Sequence, residues 1–181
     1  MIEAKRLGML HDLVPNASVL GVLLNPRMPP FASQIREVQV EARMIGQRIV
    51  LLYASTDAEL GPALAALTQK QVDGLLVTAD PFFDTRRDRI IASAAQGRLP
   101  AIYQSRSYVL DGGLISYGIS FPAAYRQIGV YAGQILRGAN PGEMPVVQPT
   151  TFELVINLKT VKALGLTIPP VLMAQADELV E

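Results

Sequence analysis

Four short apolar segments recur at near-regular spacing, and a polar residue follows each of them directly. They are Val19–Leu24 before Asn25, Ile49–Ala54 before Ser55, Leu75–Ala79 before Asp80, and Ala101–Tyr103 before Gln104 and Ser105. Continuous apolar runs of this length are typical of strands that are buried on both faces of a parallel sheet. The pattern therefore predicts an α/β domain whose strands end together at a crevice where a small ligand can bind.

The segments between these runs have the periodicity of amphipathic helices. One helical face carries Ile35, Val38, Ala42 and Ile45, and the next carries Leu60, Ala63, Leu64 and Leu67. Thr56 and Glu59 have the spacing of a capping box, in which the two side chains bond the first free backbone N–H groups of a helix. Right-handed crossovers then place helices on both faces of the sheet, which predicts a three-layer α/β/α architecture.

The second half of the chain has a less regular pattern. It predicts a strand at Leu114–Tyr117, a long amphipathic helix from Phe121 that Gly138 closes, an extended stretch at Val146–Ile156, a helix at Leu158–Leu164 and a terminal helix at Val171–Val180. Periodicity leaves open whether these elements continue the first sheet or begin another.

Composition excludes several classes of protein. The 181 residues carry a formal net charge of zero, so no nucleic-acid partner is expected, and the absence of cysteine excludes disulfides and thiolate chemistry. No apolar stretch approaches the roughly 20 residues of a membrane span. The first residues, Met1–Leu7, lack the apolar core of a secretory signal.

No motif for catalysis or for a cofactor is present. The stretch Gly113–Gly118 has only a partial likeness to a nucleophile elbow, because Leu114 stands where that motif needs glycine. The single histidine, His11, precedes the serine of that stretch. Neither a phosphate-binding loop nor a dinucleotide fingerprint occurs, and Asp80 and Asp84 have no third acidic neighbour for a metal. We therefore expect a protein that is not an enzyme and that uses neither cofactor nor metal.

Several longer motifs resemble those of one known family. They are Leu23–Pro26, Gly112–Gly118, Ile135–Pro141, Phe152–Thr160, Ala163–Leu166 and Ile168–Pro170. In this order they resemble the ABC transporter substrate-binding proteins of the tryptophan/tyrosine-binding type. That resemblance implies a type I periplasmic binding protein, in which two Rossmann-like lobes joined by a hinge close on a small solute.

The resemblance also implies how the chain is divided. Residues 1–108 correspond to the second lobe of the family, and residues 109–181 to the crossover and the C-terminal elements of an incomplete first lobe. Family members carry a signal or lipoprotein segment and most of the first lobe before the position of Ile2, so the chain is expected to be N-terminally truncated. The cause would be a late start codon, a shortened gene or a fragment. The resemblance implies a periplasmic location, and a genuine start at Met1 would imply a cytoplasmic one.

Truncation has a consequence for assembly. Apolar residues of the tail, such as Phe152, Leu154 and Ile156, would lack their natural partners. Exposed apolar patches of that kind usually find a partner, which predicts a homodimer through the incomplete first-lobe surface.

Nine residues at or near the strand ends are candidate solute contacts. They are Asn25, Pro26, Ser55, Thr56, Asp80, Phe82, Ser105, Arg106 and Tyr117. A carboxylate such as Asp80 suits a ligand ammonium group, and an arginine such as Arg106 can hold a carboxylate with two parallel bonds. Hydroxyls at a helix N-terminus, such as Ser55 and Thr56, also suit a carboxylate.

Each candidate has a structural alternative. Asn25 and Asp80 precede prolines and suit turns, while Ser55 and Thr56 suit the capping box. The aromatic rings of Phe82 and Tyr117 suit packing. For Arg106 the alternative is a solvated side chain at the surface.

Together these inferences predict the solute-binding component of an ABC-type importer. It would bind a small amino-acid-like ligand by lobe closure about residues 105–118 and would deliver it to a transporter permease. The alternatives are a truncated remnant or self-associating module without ligand binding, and a receiver-like signalling domain. A receiver needs an acidic cluster after its first strand, where this chain has Asn25 and Pro26.

Overall fold

One seven-stranded sheet forms the centre of the protein. A computed structural model describes residues 2–148 and 150–181. The strands are β1 (Val19–Leu24), β2 (Arg48–Tyr53), β3 (Gly74–Val77), β4 (Ala101–Tyr103), β5 (Ile115–Ile119), β6 (Phe152–Asn157) and β7 (Glu178–Val180). Their order is β2-β1-β3-β4-β5-β6-β7. Strands β1 to β5 are mutually parallel, β6 is antiparallel to β5, and β7 is parallel to β6.

Nine α-helices are formed by the described residues, and all but the seventh contribute buried side chains against the sheet. They are α1 (Ile2–Leu13), α2 (Phe31–Met44), α3 (Asp57–Gln69), α4 (Pro81–Asp84), α5 (Arg87–Gln96), α6 (Arg106–Leu110), α7 (Phe121–Leu136), α8 (Leu158–Leu164) and α9 (Pro170–Gln175). A short 3₁₀ helix spans Pro141–Glu143. No helix among the described residues is long and apolar enough to cross a membrane.

The core has two halves, one on each face of the sheet. One half contains Leu7, Val38, Val161 and Leu172 from α1, α2, α8 and α9. The other contains Leu60, Phe83, Ile90 and Tyr108 from α3, α4, α5 and α6. Successive strand residues point to opposite faces, so Val22 and Leu24 enter the first half while Leu23 enters the second. This arrangement confirms the predicted three-layer α/β/α fold.

The first four predicted strands are confirmed to within two residues at each end. The helices between them also lie where the apolar periodicity placed them. Buried apolar runs and helix caps are local signals, which is why the sequence locates these elements well.

The C-terminal strands join the same sheet. Leu154 and Ile156 of β6 are buried, because their side chains pack in the same half of the core as Val161 and Leu172. The expectation that these two residues lack partners was wrong; only Phe152 stays partly exposed, at 38%. The assignment of residues 109–181 to another lobe stays a prediction, but the sheet itself does not break at residue 108.

The predicted terminal helix at Val171–Val180 was partly wrong. Helix α9 ends at Gln175, and residues 178–180 form β7. Asp177 causes the change, because its carboxylate accepts from the backbone N–H of Leu154 at 2.7 Å and its own N–H donates to the Leu154 carbonyl at 2.9 Å. The open edge of β6 therefore recruits the last residues as a strand.

Helix α7 stands apart from the core. All 16 of its residues are described and none is buried. The chain leaves the sheet after β5 at Ser120 and returns at Thr151, and the Ser120 N–H donates to the Thr151 carbonyl at 3.0 Å. Exposed apolar side chains on α7 include Phe121, Tyr125, Ile128 and Ile135. The helix is thus attached to the sheet by two adjacent crossings.

Candidate functional site

The carboxyl ends of β1 to β5 lie along one edge of the sheet, because these strands are parallel. This edge, which we call the ligand edge, carries Asn25, Ser55, Asp80, Ser105 and Ser120 immediately after the strands or within three residues of them. The two crossings to α7 leave from the same edge. Binding crevices of open α/β sheets lie at this edge, so it is the candidate site.

At the end of β1, the predicted Asn-Pro pair forms a turn. The Asn25 side-chain oxygen accepts from the Arg27 N–H at 3.0 Å, and the Met28 N–H donates to the Asn25 carbonyl at 3.2 Å. Asn25 is buried, and Pro26 is exposed beside it. The amide of Asn25 is therefore engaged in local backbone bonds in this structure.

At the end of β2, the capping box is formed. The Glu59 N–H donates to the Thr56 hydroxyl at 3.3 Å, and the Glu59 carboxylate accepts from the Ser55 N–H at 2.7 Å and from the Ser55 hydroxyl at 2.8 Å. The Ser55 N–H holds the pKa of Glu59 below its ordinary value. Ser55 and Thr56 thus fix the start of α3.

At the end of β3, Asp80 caps α4. One oxygen, Oδ1, accepts from the N–H groups of Phe82 at 2.7 Å and Phe83 at 3.3 Å. The other, Oδ2, is buried and has no hydrogen-bond partner among the described residues. The ring of Phe82 packs against Phe83, with 5.6 Å between centroids, and against the Arg86 guanidinium at 4.6 Å.

In β5, Tyr117 lies between an aromatic ring and a cation. Its ring stacks on Phe152 with centroids 5.8 Å apart, and the Lys5 ammonium lies 4.5 Å from its centroid. The Tyr117 carbonyl accepts from Arg6 Nε at 2.7 Å. Arg6 in turn forms a buried ion pair with Glu3 at 2.8 Å. This pair connects the start of α1 to the strand that leads into the first crossing.

A cavity of about 480 Å³ opens at the ligand edge between α4, α5, α6 and α7. Its lining comprises Asp84, Arg87, Ser105, Arg106, Ser107, Phe121, Pro122 and Tyr125. Two of the nine candidate contacts, Ser105 and Arg106, line this cavity, and the other seven do not. The lining combines a carboxylate, two guanidinium groups, two hydroxyls and two aromatic rings.

The charges around this cavity are unevenly paired. Arg106 donates from Nη2 to Glu178 at 2.6 Å, while its Nε is buried without a partner among the described residues. Arg87 donates from Nε to Asp111 at 2.5 Å. Burial raises the pKa of the Asp84 carboxyl, and its bond from Gln104 opposes that shift. The site therefore holds one carboxylate that is costly to ionise and one guanidinium nitrogen without a partner.

Gln104 and Tyr108 form the wall behind Asp84. The Gln104 side-chain amide donates to Asp84 Oδ1 and, at 3.3 Å, to the Asp80 carbonyl. Burial raises the pKa of the Tyr108 hydroxyl, and the Asp84 carboxylate raises it further. The raised pKa keeps the Tyr108 hydroxyl protonated at physiological pH, and the Gln104 amide carries no charge.

Sequence reasoning missed Asp84, Phe121 and Tyr125. The sequence offers Asp84 as a helix cap or, with Asp80, as half of an incomplete metal site, and the two aromatic residues as one face of an amphipathic helix. A usable signal was present, because a fifth apolar run at Leu114–Ile119 is followed by the polar Ser120. Counting this run as a fifth parallel strand, followed like the others by a polar residue, would have placed the start of α7 at the ligand edge.

A second cavity of about 340 Å³ lies at the opposite edge of the sheet. It is lined mainly by apolar residues of α5, β4 and α8 and by Gly112, Gly113 and Thr160. Within the described parts of the chain, no three His, Cys, Asp or Glu residues form a group that could hold a metal ion. This second cavity is also lined by Arg98 and Tyr103, but only the ligand-edge cavity, of these two, brings charges of both signs together with two aromatic rings.

Comparison with known proteins decides the family. The model of the family described as ABC transporter substrate binding protein matches residues 2–180. The chain belongs to this family. A curated substrate-binding relative, the Tyrosine-binding protein of Clostridioides difficile, is 26% identical over 162 residues, which cover 90% of this chain and 47% of that protein. The chain thus spans about half the length of the curated relative that it matches.

Solved structures show the fold of this substrate-binding family. An ABC domain from Streptococcus pneumonia in complex with L-Trp has a TM-score of 0.86 at 24% identity, covering 98% of this chain and 62% of that one. The ligand-free, open structure of a substrate binding protein with adhesive properties from Clostridium difficile has a TM-score of 0.70 at 24% identity, covering 97% and 59%. The predicted type I periplasmic binding protein class is confirmed.

Proposed function

We propose that the protein is the solute-binding component of an ABC-type importer and binds a small amino-acid-like solute at the ligand edge. The observation that carries this proposal is the cavity in which Asp84, Arg106 and Ser105 meet the rings of Phe121 and Tyr125. Opposite charges beside aromatic surface match an amino acid with an apolar or aromatic side chain. The Tyrosine-binding relative and the L-Trp complex support this ligand class.

Ser105 and Arg106 are the proposed contacts of the solute carboxylate. Arg106 has a free Nε although Glu178 holds another of its nitrogens. Binding needs no bond to form or break, so the proposed role is recognition without catalysis. Of the seven other candidate contacts, Asn25, Ser55, Thr56 and Asp80 hold turns and helix starts of the edge in place, and Phe82 and Tyr117 pack against neighbouring side chains.

The proposed mechanism is lobe closure. The crossings at Ser120 and Thr151 emerge beside the cavity and are hydrogen-bonded to each other, so they can act together as a hinge. A second wall beyond the crossings would close over the solute and complete its burial. The closed form would then dock on a transporter permease outside the cytoplasmic membrane.

Ligand-observed saturation-transfer NMR tests the proposal. L-tyrosine, L-tryptophan and L-leucine would be compared with a neutral sugar, and we expect signal transfer to one or more of the amino acids but not to the sugar. Dissociation constants on the order of 1 mM are sufficient for detection because a single wall provides few contacts. Absence of transfer to every amino acid would remove the proposed ligand class.

Matched arginine variants identify the contact. Arg106→Ala should abolish the transfer, whereas Arg43→Ala, at an exposed position of α2, should retain it. Glu178→Gln keeps the guanidinium but removes its ion pair, and should also retain binding. Loss of binding in Glu178→Gln as well as in Arg106→Ala would show that the ion pair, and not the guanidinium by itself, is needed.

We also propose that the protein self-associates through α7. Its sequence carries one charged residue, Arg126, and its exposed Ile128 and Ile135 offer apolar contact without charge repulsion between copies. Sedimentation at micromolar concentration should show a dimer that Ile128→Asp dissociates. A monomeric wild-type protein would refute this assembly and leave the ligand proposal untouched.

A further inference from the structure

Asp84 is the one acidic side chain that lines the ligand-edge cavity. It is the last residue of α4 and lies half-buried beside Ser105 and Arg106, with the rings of Phe121 and Tyr125 also lining the cavity. The two aromatic centroids are 6.5 Å apart. A carboxylate therefore shares one small cavity with an aromatic surface.

Among the described residues, no cation forms a direct ion pair with this carboxylate. Arg87 is adjacent, but its Nε donates to Asp111 and its Nη1 donates at 3.1 Å to the backbone carbonyl of Asp84 instead of the carboxylate. Arg106 pairs with Glu178. Among the described residues, no Lys, Arg or His nitrogen lies within 4.0 Å of the Asp84 carboxylate oxygens. Asp84 Oδ1 accepts a hydrogen bond from the neutral amide of Gln104.

A half-buried carboxylate without a counter-ion costs stability, and burial raises its pKa accordingly. A protein keeps such a group more readily where a ligand supplies the missing charge. A primary ammonium group is the fitting complement, since it donates charge-assisted hydrogen bonds to a carboxylate. The neighbouring rings would cover the apolar part of the same ligand.

We propose that Asp84 binds the ammonium group of the solute while Phe121 and Tyr125 pack on its apolar side chain. This proposal rests on the proposed function of the same edge and adds its chemical selectivity. Solutes with a free primary amine and an aromatic or large apolar body would be accepted. Derivatives of the same compounds that are acylated on the amine would be rejected, because they carry no positive charge.

The pH dependence of binding follows from the groups that face Asp84. Asp80 raises the pKa of Asp84 further, whereas Arg87, Gln104 and Tyr108 lower it. Only the ionised form of Asp84 attracts an ammonium group. Affinity should therefore be constant at neutral pH and fall as the pH drops through the raised pKa.

The test compares L-tryptophan with N-acetyl-L-tryptophan on the wild-type protein, Asp84→Asn and the control Asp88→Asn. Asp88 lies in the first turn of the next helix, α5, at an exposed position and does not line the cavity. We expect the wild-type protein and Asp88→Asn to prefer the free amine by at least about tenfold. Asp84→Asn should lose that preference, and its amide oxygen can still accept from Gln104, so its melting temperature should not fall.

The outcomes separate the two proposals. If the wild-type protein binds neither these two compounds nor L-tyrosine or L-leucine, the proposed function fails and this inference fails with it. If it binds L-tryptophan and Asp84→Asn retains the tenfold preference, only the assignment of Asp84 is overturned. Equal binding of both compounds by the wild-type protein would likewise overturn it while leaving solute binding intact.

Discussion

Gly118 is the position where an added methyl group is expected to do most damage. It lies in β5 next to the start of α6, and a Cβ atom there would come within 1.7 Å of the Gln104 backbone oxygen. Real Cβ contacts do not fall below 3.0 Å, so Gly118→Ala needs a displacement of at least about 1.3 Å. The obstacle is backbone at the ligand edge, which cannot rotate away as a flexible side chain could.

The cost can be worked from this displacement. Overpacking a core by one methyl group typically costs about 1–3 kcal/mol. Pushing β5 from β4 also strains neighbouring ladder hydrogen bonds, each with a net contribution of about 1 kcal/mol. Gly118→Ala should therefore lower the free energy of unfolding by about 3 kcal/mol, a large part of the stability of a domain this size.

Urea denaturation followed by far-UV circular dichroism measures this loss. The control is Gly129→Ala, in the middle of α7, where a Cβ atom meets nothing within 4 Å. Alanine is the better helix former, so the control should lose no stability and gain up to about 1 kcal/mol. A Gly118→Ala protein with the wild-type midpoint and slope would refute the close approach of β5 to the Gln104 backbone.

Three further predictions concern stability. Arg6→Ala leaves the buried Glu3 carboxylate without its cation and should cost about 3–5 kcal/mol in urea denaturation; a loss below about 1 kcal/mol would contradict the buried pair. Ile156→Ala should cost about 2–5 kcal/mol because the side chain is fully buried, whereas Leu136→Ala, at 88% exposure, should change stability by less than about 0.5 kcal/mol; equal effects would place β6 outside the core. Because the folded-state pKa of Asp84 is raised above 3.8, its ionisation destabilises the fold as pH rises through that range. Melting temperatures of Asp84→Asn should thus match the wild type below pH 3.8 and exceed it at neutral pH, and the opposite trend would contradict the raised pKa.

The sheet could be predicted where its signals are local. Each run from Val19 to Tyr103 is apolar throughout and is followed by a polar residue, so strand and helix alternate visibly along the chain. The C-terminal part lacks this property. Residues 178–180 form a strand because Asp177 bonds to Leu154, a contact between positions far apart in sequence. No periodicity in the last ten residues could indicate it.

The site was predictable as an edge but not as a set of residues. Strand ends located Ser105 and Arg106, which line the cavity. The other polar residues of the same edge are engaged in caps and turns, and a sequence does not reveal which of two uses a hydrogen-bonding side chain adopts. The sequence could not show that Asp84 lines this cavity, because its role depends on where Phe121 and Tyr125 come to lie after the crossing from β5.

Amide chemical-shift mapping with L-tryptophan tests the ligand edge most directly. At 181 residues the protein suits two-dimensional NMR. The backbone amide shifts would be followed while the L-tryptophan concentration is raised to about 1 mM and above. The account predicts saturable changes at Asp84, Ser105, Arg106 and Phe121. Changes centred on the opposite cavity near Thr160, or none at any concentration, would contradict it.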